Sequence, residues 1–196
     1  VIVRKSYNDT ILLLQEFNNQ GGNVEIAASN SSAQQVVSGT TEQVELFKKW
    51  LETKHGLTGA QILPTTHPFH TSMMLPSAKK FTNFLSENVQ LNAAQSDYYS
   101  NVTGSCITHV TSEYFGEHIC HTVQFHKSIE NILKKSHRQI LFVEFGPRLL
   151  SNIVQLESKR SDFAQCMKCV CVLPSKQDNT DEISHWRSIF TQFKIE

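Results

Sequence analysis

Two histidines flank a proline–phenylalanine pair in the run His67-Pro68-Phe69-His70. Pro68 fixes its own φ angle and disfavours helical backbone at His67, so His70 lies on a stiffened connection. A strand-like run precedes this segment, and Pro76 is typical of the first turn of a helix. A strand, a rigid turn and a helix can together hold a histidine as a general base at the rim of a sheet. His70 is therefore the candidate base, and the alternative is a partly buried loop histidine without a catalytic role.

A serine nucleophile for this base is not evident in the sequence. Ser72 stands two residues after His70, but neighbours at that spacing on an extended turn make a poor serine–histidine pair. The pattern G-x-S-x-G, which presents a nucleophilic serine on a strand-to-helix turn, does not occur. The sequence thus supplies a candidate base without a nucleophile.

A cysteine cluster offers a second kind of chemistry. Cys166, Cys169 and Cys171 could bind a metal ion together with His121 or His126. A single C-x-x-C without a second pair of ligands is a weak zinc pattern. The valines among these cysteines favour a strand in which the thiols are small apolar fillers. We therefore expect no metal site.

Composition narrows the classes of partner and compartment. The 18 basic and 18 acidic side chains balance, which argues against nucleic acid and anionic membranes as partners. No apolar run approaches the length of a membrane span, and the first residues of this sequence do not show the charged-then-apolar pattern of a leader. Five cysteines, an odd number, favour reduced thiols in the cytoplasm over a disulfide framework. The first residue is Val1, so we expect a piece of a longer polypeptide.

The first 64 residues predict the element order βαββαβ, which is typical of a ferredoxin-like subdomain. Ser6 and Thr40 are expected to cap the two helices, with Gln43 completing a capping box. Gly56 is expected to end the second helix. The predicted strands cover residues 1–4, 24–28, 35–38 and 61–63.

The remainder of the chain alternates predicted helices and strands, which argues for a parallel α/β layer covered on both faces. The predicted helices cover residues 76–89, 114–121, 123–135 and 149–156, and the predicted strands cover 98–102, 139–145 and 164–173. A polar linker over 174–180 and a terminal amphipathic helix follow.

Five short motifs, in order and at suitable intervals, resemble those of one enzyme family. They lie at residues 30–39, 67–74, 100–104, 123–125 and 142–147. Together they are similar to the C-terminal portion of malonyl-CoA:acyl-carrier-protein transacylases and of the acyltransferase domains of polyketide and fatty acid synthases. The resemblance covers nearly the whole chain, and residues from about 174 resemble the linker after such domains in multidomain synthases.

The resemblance implies an α/β fold. Residues 1–64 would form the ferredoxin-like small subdomain and residues 65–173 the C-terminal part of an α/β-hydrolase-like large subdomain. Residues 174–196 would form the post-domain linker and terminal helix.

The resemblance also implies a chemistry. The family transfers an acyl group, such as malonyl, from CoA to the phosphopantetheine thiol of an acyl carrier protein through an acyl-serine. The implied partners are malonyl-CoA, the carrier protein and neighbouring synthase domains on the ketosynthase side, and no covalently bound cofactor is implied.

Site residues carry over from the family's motifs by position. His70 matches the catalytic general base, and His118 matches the position whose backbone carbonyl orients that base. His67, Phe69 and Asn30 match substrate-binding positions. The run His67-Pro68-Phe69-His70 is similar to the H-A-F-H form associated with malonyl selection, with Phe69 filling the space of an α-methyl branch.

The chain departs from the family's pattern in three ways. The nucleophilic serine and the arginine that holds the malonyl carboxylate are absent and would belong to an upstream half. Ser32 stands where the family often has Pro, and Arg148 stands where a Gly commonly follows Gly-Pro. The alternative function is therefore a catalytically inactive remnant that acts as a docking module, and the chain alone is expected to be inactive.

Overall fold

The computed structural model describes residues 1–136, 139–146, 148–159, 167–174 and 181–193, with side chains up to 191 in the last range. Two compact units divide the chain, Val1–Asn131 and Ile132–Glu196. Each contains helices and strands, so the fold is mixed α/β as expected. Helix α5 (Phe125–Lys135) passes from the first unit into the second.

The first unit begins with a three-stranded antiparallel sheet in the order β1-β3-β2. Its elements are β1 (Ile2–Val3), α1 (Tyr7–Asn19), β2 (Glu25–Ser31), β3 (Gln34–Ser38) and α2 (Thr41–His55). Phe47 and Leu51 of α2 are fully buried with Val37 of β3 in the core, where the rings of Phe17 and Phe47 lie 5.1 Å apart. This core fixes the sheet from which the candidate site is built.

The helix caps form largely as predicted. The hydroxyls of Ser6 and Thr40 accept hydrogen bonds from the backbone N–H groups of Asp9 and Gln43. Gly56 ends α2 with a φ of 64°, a left-handed conformation that glycine adopts without steric cost. The reciprocal half of the capping box is absent in this helix, because the Gln43 side chain instead accepts from the backbone of Asn23.

The predicted fourth strand is reduced to one bridging pair. Gln61 pairs with Ile2, and the two backbone hydrogen bonds measure 2.8 and 3.4 Å. Pro64 follows closely, and a proline cannot donate to a ladder, so the segment does not extend into a regular strand.

The rest of the first unit carries helices and a short hairpin. These elements are the 3₁₀ turn Ser72–Met74, α3 (Leu75–Asn88), β4 (Tyr98–Tyr99), β5 (Cys106–Ile107) and α4 (Ser112–Cys120). The strand predicted over 98–102 stops at Tyr99, since the Ser100 hydroxyl accepts from the backbone of Val102 and Thr103 and turns the chain. β4 and β5 therefore form an antiparallel pair and do not join a parallel layer.

The second unit contains β6 (Ile140–Glu144), α6 (Leu150–Ser158), β7 (Met167–Cys171) and α7 (Glu182–Phe193). Strands β6 and β7 pair in parallel through five successive residues. The predicted parallel layer thus has two strands among the residues that the structure describes. Cys166, Pro147 and most of the predicted linker lie outside the described residues.

Candidate active site

His70 has an unusual backbone conformation. Its φ is 63°, in the left-handed region that non-glycine residues rarely enter and that costs about 1–3 kcal/mol. Two hydrogen bonds offset the strain: the His70 N–H donates to the Ile119 carbonyl at 2.8 Å, and the buried Thr71 hydroxyl donates to the Pro68 carbonyl at 2.6 Å. The segment is therefore fixed by its surroundings at the point where the sequence predicted a stiff connection.

The imidazole of His70 is oriented by the end of α4. Its Nδ1 lies 2.7 Å from the backbone oxygen of His118. A carbonyl oxygen only accepts, so Nδ1 carries the proton and Nε2 of the neutral ring carries the lone pair. His118 and Ile119 lie in the last turn of α4, where backbone carbonyls lack a partner within the helix. The helix terminus thus supplies both acceptors for His70.

The side chain of His118 also lies close to His70. Its ring stacks on Tyr114, with centroids 6.2 Å apart and planes at 5°, and lies 5.1 Å from the His70 ring. Burial and the neighbouring His70 lower the pKa of His118 from its ordinary value. A neutral His118 avoids like-charge repulsion when His70 takes up a proton.

A cavity of about 610 Å³ opens beside these residues, within the first unit. Its wall contains residues of β2, β3, the start of α2 and the segment 62–70. His67, Phe69 and His70 all line it, and the Phe69 side chain is 47% exposed. Asn30 lies in β2 but is not a lining residue. The cavity therefore brings together the candidate base and two of the three predicted binding residues.

Ser72 is held away from the role of nucleophile. Its hydroxyl donates to Glu25 Oε1 at 2.5 Å, and its backbone N–H donates to Glu25 Oε2 at 3.1 Å. Sequence reasoning missed Glu25, which lies 47 positions before Ser72 at the start of β2. No local signal could have identified the pair, because only the tertiary fold brings these residues together.

The cysteines of β7 lie in environments that suit a structural role. The Cys171 thiol is buried and donates to the Gly146 carbonyl at 3.0 Å, while burial and then Glu144 raise the pKa of Cys169. Both thiols are free of disulfides. Within the described ranges, no group of three or more His, Cys, Asp or Glu side chains could hold a metal ion. No helix in the part of the chain that the structure describes has the length and apolar character needed to cross a membrane.

The amino-acid sequence of this chain is similar to those of known acyltransferases. The chain is 30% identical over 144 residues to the malonyl CoA-acyl carrier protein transacylase of Bacillus subtilis, covering 72% of this chain and 44% of that protein. A polyketide biosynthesis acyltransferase homolog, PksD, of the same organism is 22% identical over 85% of this chain and 50% of its own length. No protein-family model matches the chain.

Solved structures show the same fold. The acyltransferase domain from the second module of the salinomycin polyketide synthase superposes with a TM-score of 0.80 at 26% identity, over 97% of this chain and 42% of that one. A malonyl CoA-acyl carrier protein transacylase from Clostridium perfringens superposes with a TM-score of 0.76 at 22% identity, over 98% of this chain and 57% of that one. The chain thus spans about half the length of the relatives it matches.

Proposed function

The chain is a homologue of malonyl-CoA–acyl carrier protein transacylases and polyketide synthase acyltransferase domains, and we propose that it supplies the general base of such an acyltransferase. The observation that carries the proposal is the fixed tautomer of His70. Its Nδ1 is held by the His118 carbonyl at 2.7 Å, which leaves Nε2 free to accept a proton.

The proposed reaction runs in two acyl transfers. His70 Nε2 removes the proton of a serine hydroxyl supplied by a segment outside this sequence, and the serine oxygen attacks the thioester carbon. The carbon–sulfur bond to CoA breaks as His70 returns the proton to the leaving thiolate. The carrier thiol then attacks the acyl-serine by the same steps in reverse. The carbonyl of His118 keeps the His70 ring oriented throughout.

The proposed acyl group is malonyl, and the proposed acceptor is the phosphopantetheine thiol of an acyl carrier protein. The names of the relatives support both assignments. His67, Phe69 and Asn30 remain the proposed substrate-binding residues, and the position of Phe69 in the cavity wall is consistent with steric selection against branched acyl groups.

The proposed organisation keeps the predicted boundaries. Residues 1–64 form a ferredoxin-like subdomain, to which the observed strand order and the Gln61–Ile2 bridge lend support. Residues 65–173 form part of a large subdomain, and 174–196 a linker and terminal helix. We place the protein in the cytoplasm beside neighbouring synthase domains, with neither nucleic acid nor membrane as a partner.

Intact-mass spectrometry after incubation with malonyl-CoA tests the function. The samples are this chain and the extended chain, meaning this sequence together with the residues encoded before it. We expect a malonyl adduct on the extended chain alone. His70→Ala should lower the rate of adduct formation at least a hundredfold, since general-base catalysis contributes roughly 10²–10⁴-fold.

The matched control is His109→Ala, which removes an exposed histidine that does not line the cavity. This control should react at the wild-type rate. No adduct on either polypeptide would contradict the proposal and favour the inactive docking module. An adduct on this chain without the preceding residues would show that a nucleophile lies within this sequence.

A further inference from the structure

We propose that Glu25 is a positioning residue for His70, acting through Ser72. This inference rests on the proposed function, because it concerns the same general base. Glu25 opens β2, and its carboxylate binds both the backbone N–H and the hydroxyl of Ser72. Both hydrogen bonds are charge-assisted, which makes them stronger than bonds between neutral groups.

The strained backbone at His70 is what makes such an anchor necessary. A non-glycine residue with a φ of 63° persists only where the surrounding structure holds it in place. On the N-terminal side, the Thr71 hydroxyl closes the turn onto Pro68. On the C-terminal side, the chain enters the 3₁₀ turn, whose first residue is Ser72, and Glu25 is the side chain that fixes this residue.

Strand β2 also binds the segment that follows α4, the helix whose carbonyls accept hydrogen bonds from His70. The backbone of Val123 exchanges hydrogen bonds with Ser29 and Ala27 at 2.8 and 2.9 Å, and the Thr122 hydroxyl donates to Ile26 at 2.6 Å. These residues follow directly after α4, which carries the two carbonyls that bind His70. A single strand therefore fixes the segment after His70 and the segment after its acceptors.

The consequence is a geometric role for a side chain that does not line the cavity. Loss of the Glu25 carboxylate frees Ser72, and the His70 backbone can then relax from its left-handed conformation. The Nδ1–H donor would move relative to the His118 carbonyl, and the ring would lose its single orientation. Displacements of this kind, of about 1 Å, cost up to about a hundredfold in rate.

The first arm of the test is kinetic and uses the extended chain. Glu25→Ala should lower the rate of acyl-enzyme formation at saturating malonyl-CoA about tenfold, with KM unchanged, since binding groups are untouched. Glu25→Gln keeps one acceptor oxygen, so the rate of acyl-enzyme formation should fall only about threefold. Adding Ser72→Ala to Glu25→Ala should cause little further loss, because the two residues act as one unit.

The second arm measures the tautomer of the His70 ring in the absence of substrate. Long-range ¹H–¹⁵N spectra of histidine-labelled protein should show a single Nδ1–H tautomer for His70 in the wild type and a mixture in Glu25→Ala. The control is Glu52→Ala, which removes a carboxylate that is paired with Lys48 on α2. This control should change neither the rate nor the tautomer.

The two arms separate the two proposals. If the wild type forms no adduct, the proposed function fails, and the tautomer spectra still decide the role of Glu25. If the adduct forms and Glu25→Ala alters neither rate nor tautomer, the Glu25 inference is wrong and the function stands. The Glu25 inference would also be wrong if Glu25→Ala lost rate only together with a raised KM and a lowered melting temperature. Glu25 would then have a purely structural role.

Discussion

The ring of His70 is held by one helix terminus, and the side chain next to it faces the cavity. The His118 carbonyl fixes the tautomer of His70, whereas Phe69 lines the cavity with almost half of its surface exposed. Its ring contacts His67 at a centroid distance of 5.6 Å. Residue 69 can therefore change the shape of the cavity without changing the hydrogen bonds of His70.

Phe69→Ala should relax selection between unbranched and α-methyl-branched acyl groups. Steric exclusion of one methyl group is worth about 1–3 kcal/mol, so the proposed preference for malonyl-CoA over methylmalonyl-CoA should fall about 10–200-fold. The ratio of kcat/KM values for the two substrates, measured on the extended chain, checks this outcome. The control is Val110→Ala, a substitution away from the cavity wall. An unchanged ratio of kcat/KM values in Phe69→Ala would mean that Phe69 only packs against His67.

At the scale of elements, helix α6 is capped by the strand that precedes it. Glu144 ends β6, and its carboxylate accepts from the N–H groups of Leu149, Leu150 and Ser151 and from the Ser151 hydroxyl. The helix has no side-chain cap at its own N-cap residue, Leu149. A carboxylate at a helix N-terminus satisfies free N–H groups and complements the helix dipole.

These contacts also set the acid sensitivity of the second unit. Burial by itself would raise the pKa of Glu144, but hydrogen bonds from Ser151, Leu150 and Leu149 outweigh it and lower the pKa below the ordinary 4.5. A carboxylate with a lowered pKa in the folded state stabilises the protein above its unfolded pKa. This contribution disappears as the pH falls through the folded value.

Glu144→Gln should therefore destabilise the protein at neutral pH by about 1 kcal/mol. The difference from wild type should shrink as the pH is lowered below about 4.5, because the wild-type carboxylate then becomes protonated. Thermal melts of the extended chain between pH 3 and 7 measure both effects, with the exposed Glu87→Gln near the C-terminal end of α3 as the control. A difference that stays constant with pH would contradict this account.

Arg148 stands next to this cap with a φ of 60°. The family commonly has a glycine here, and only glycine adopts this conformation without steric cost. The departure seen in the sequence is thus a locally strained backbone at the entry to α6.

At the scale of the whole molecule, the second unit leaves much apolar surface uncovered. Its parallel sheet has two strands among the described residues, although parallel sheets are usually buried within larger layers. Large apolar side chains are exposed on β6, α6 and α7 and in the segments next to the strands, and Phe145 is the most exposed of those described at 79%. Among the described residues of this unit, the exposed ones are Val143, Phe145, Leu149, Leu150, Leu156, Leu173, Ile183 and Phe190.

This chain by itself should aggregate, because such surface and an unpaired strand edge favour self-association. Size-exclusion chromatography with light scattering should show heterogeneous, concentration-dependent species for the chain and a monodisperse species for the extended chain. Phe145→Ser should reduce aggregation of the chain, whereas Ser158→Ala should not. A monodisperse, cooperatively melting sample of the chain alone would show that the uncovered surface is tolerated.

The local features of the protein follow from its amino-acid sequence. Periodicity and cap residues predicted the helices α1 to α4, and the stiff turn at Pro68 was enough to single out His70. These features depend on neighbours within a few positions, so the sequence displays them directly. Segments shorter than predicted, at residues 61–63 and 98–102, reflect Pro64 and the Ser100 hydroxyl, which compete with strand pairing.

The assembly of the candidate site depends on contacts between residues far apart in the sequence. The contact between His70 and the His118 carbonyl spans 48 positions, and the contact between Glu25 and Ser72 spans 47. The family resemblance suggested the first contact, and nothing in the sequence suggested the second. The left-handed backbone at His70 was equally invisible, since no local preference favours it in a histidine. Such features arise where packing and long-range hydrogen bonds override local preference, because their combined free energy exceeds the cost of the strain.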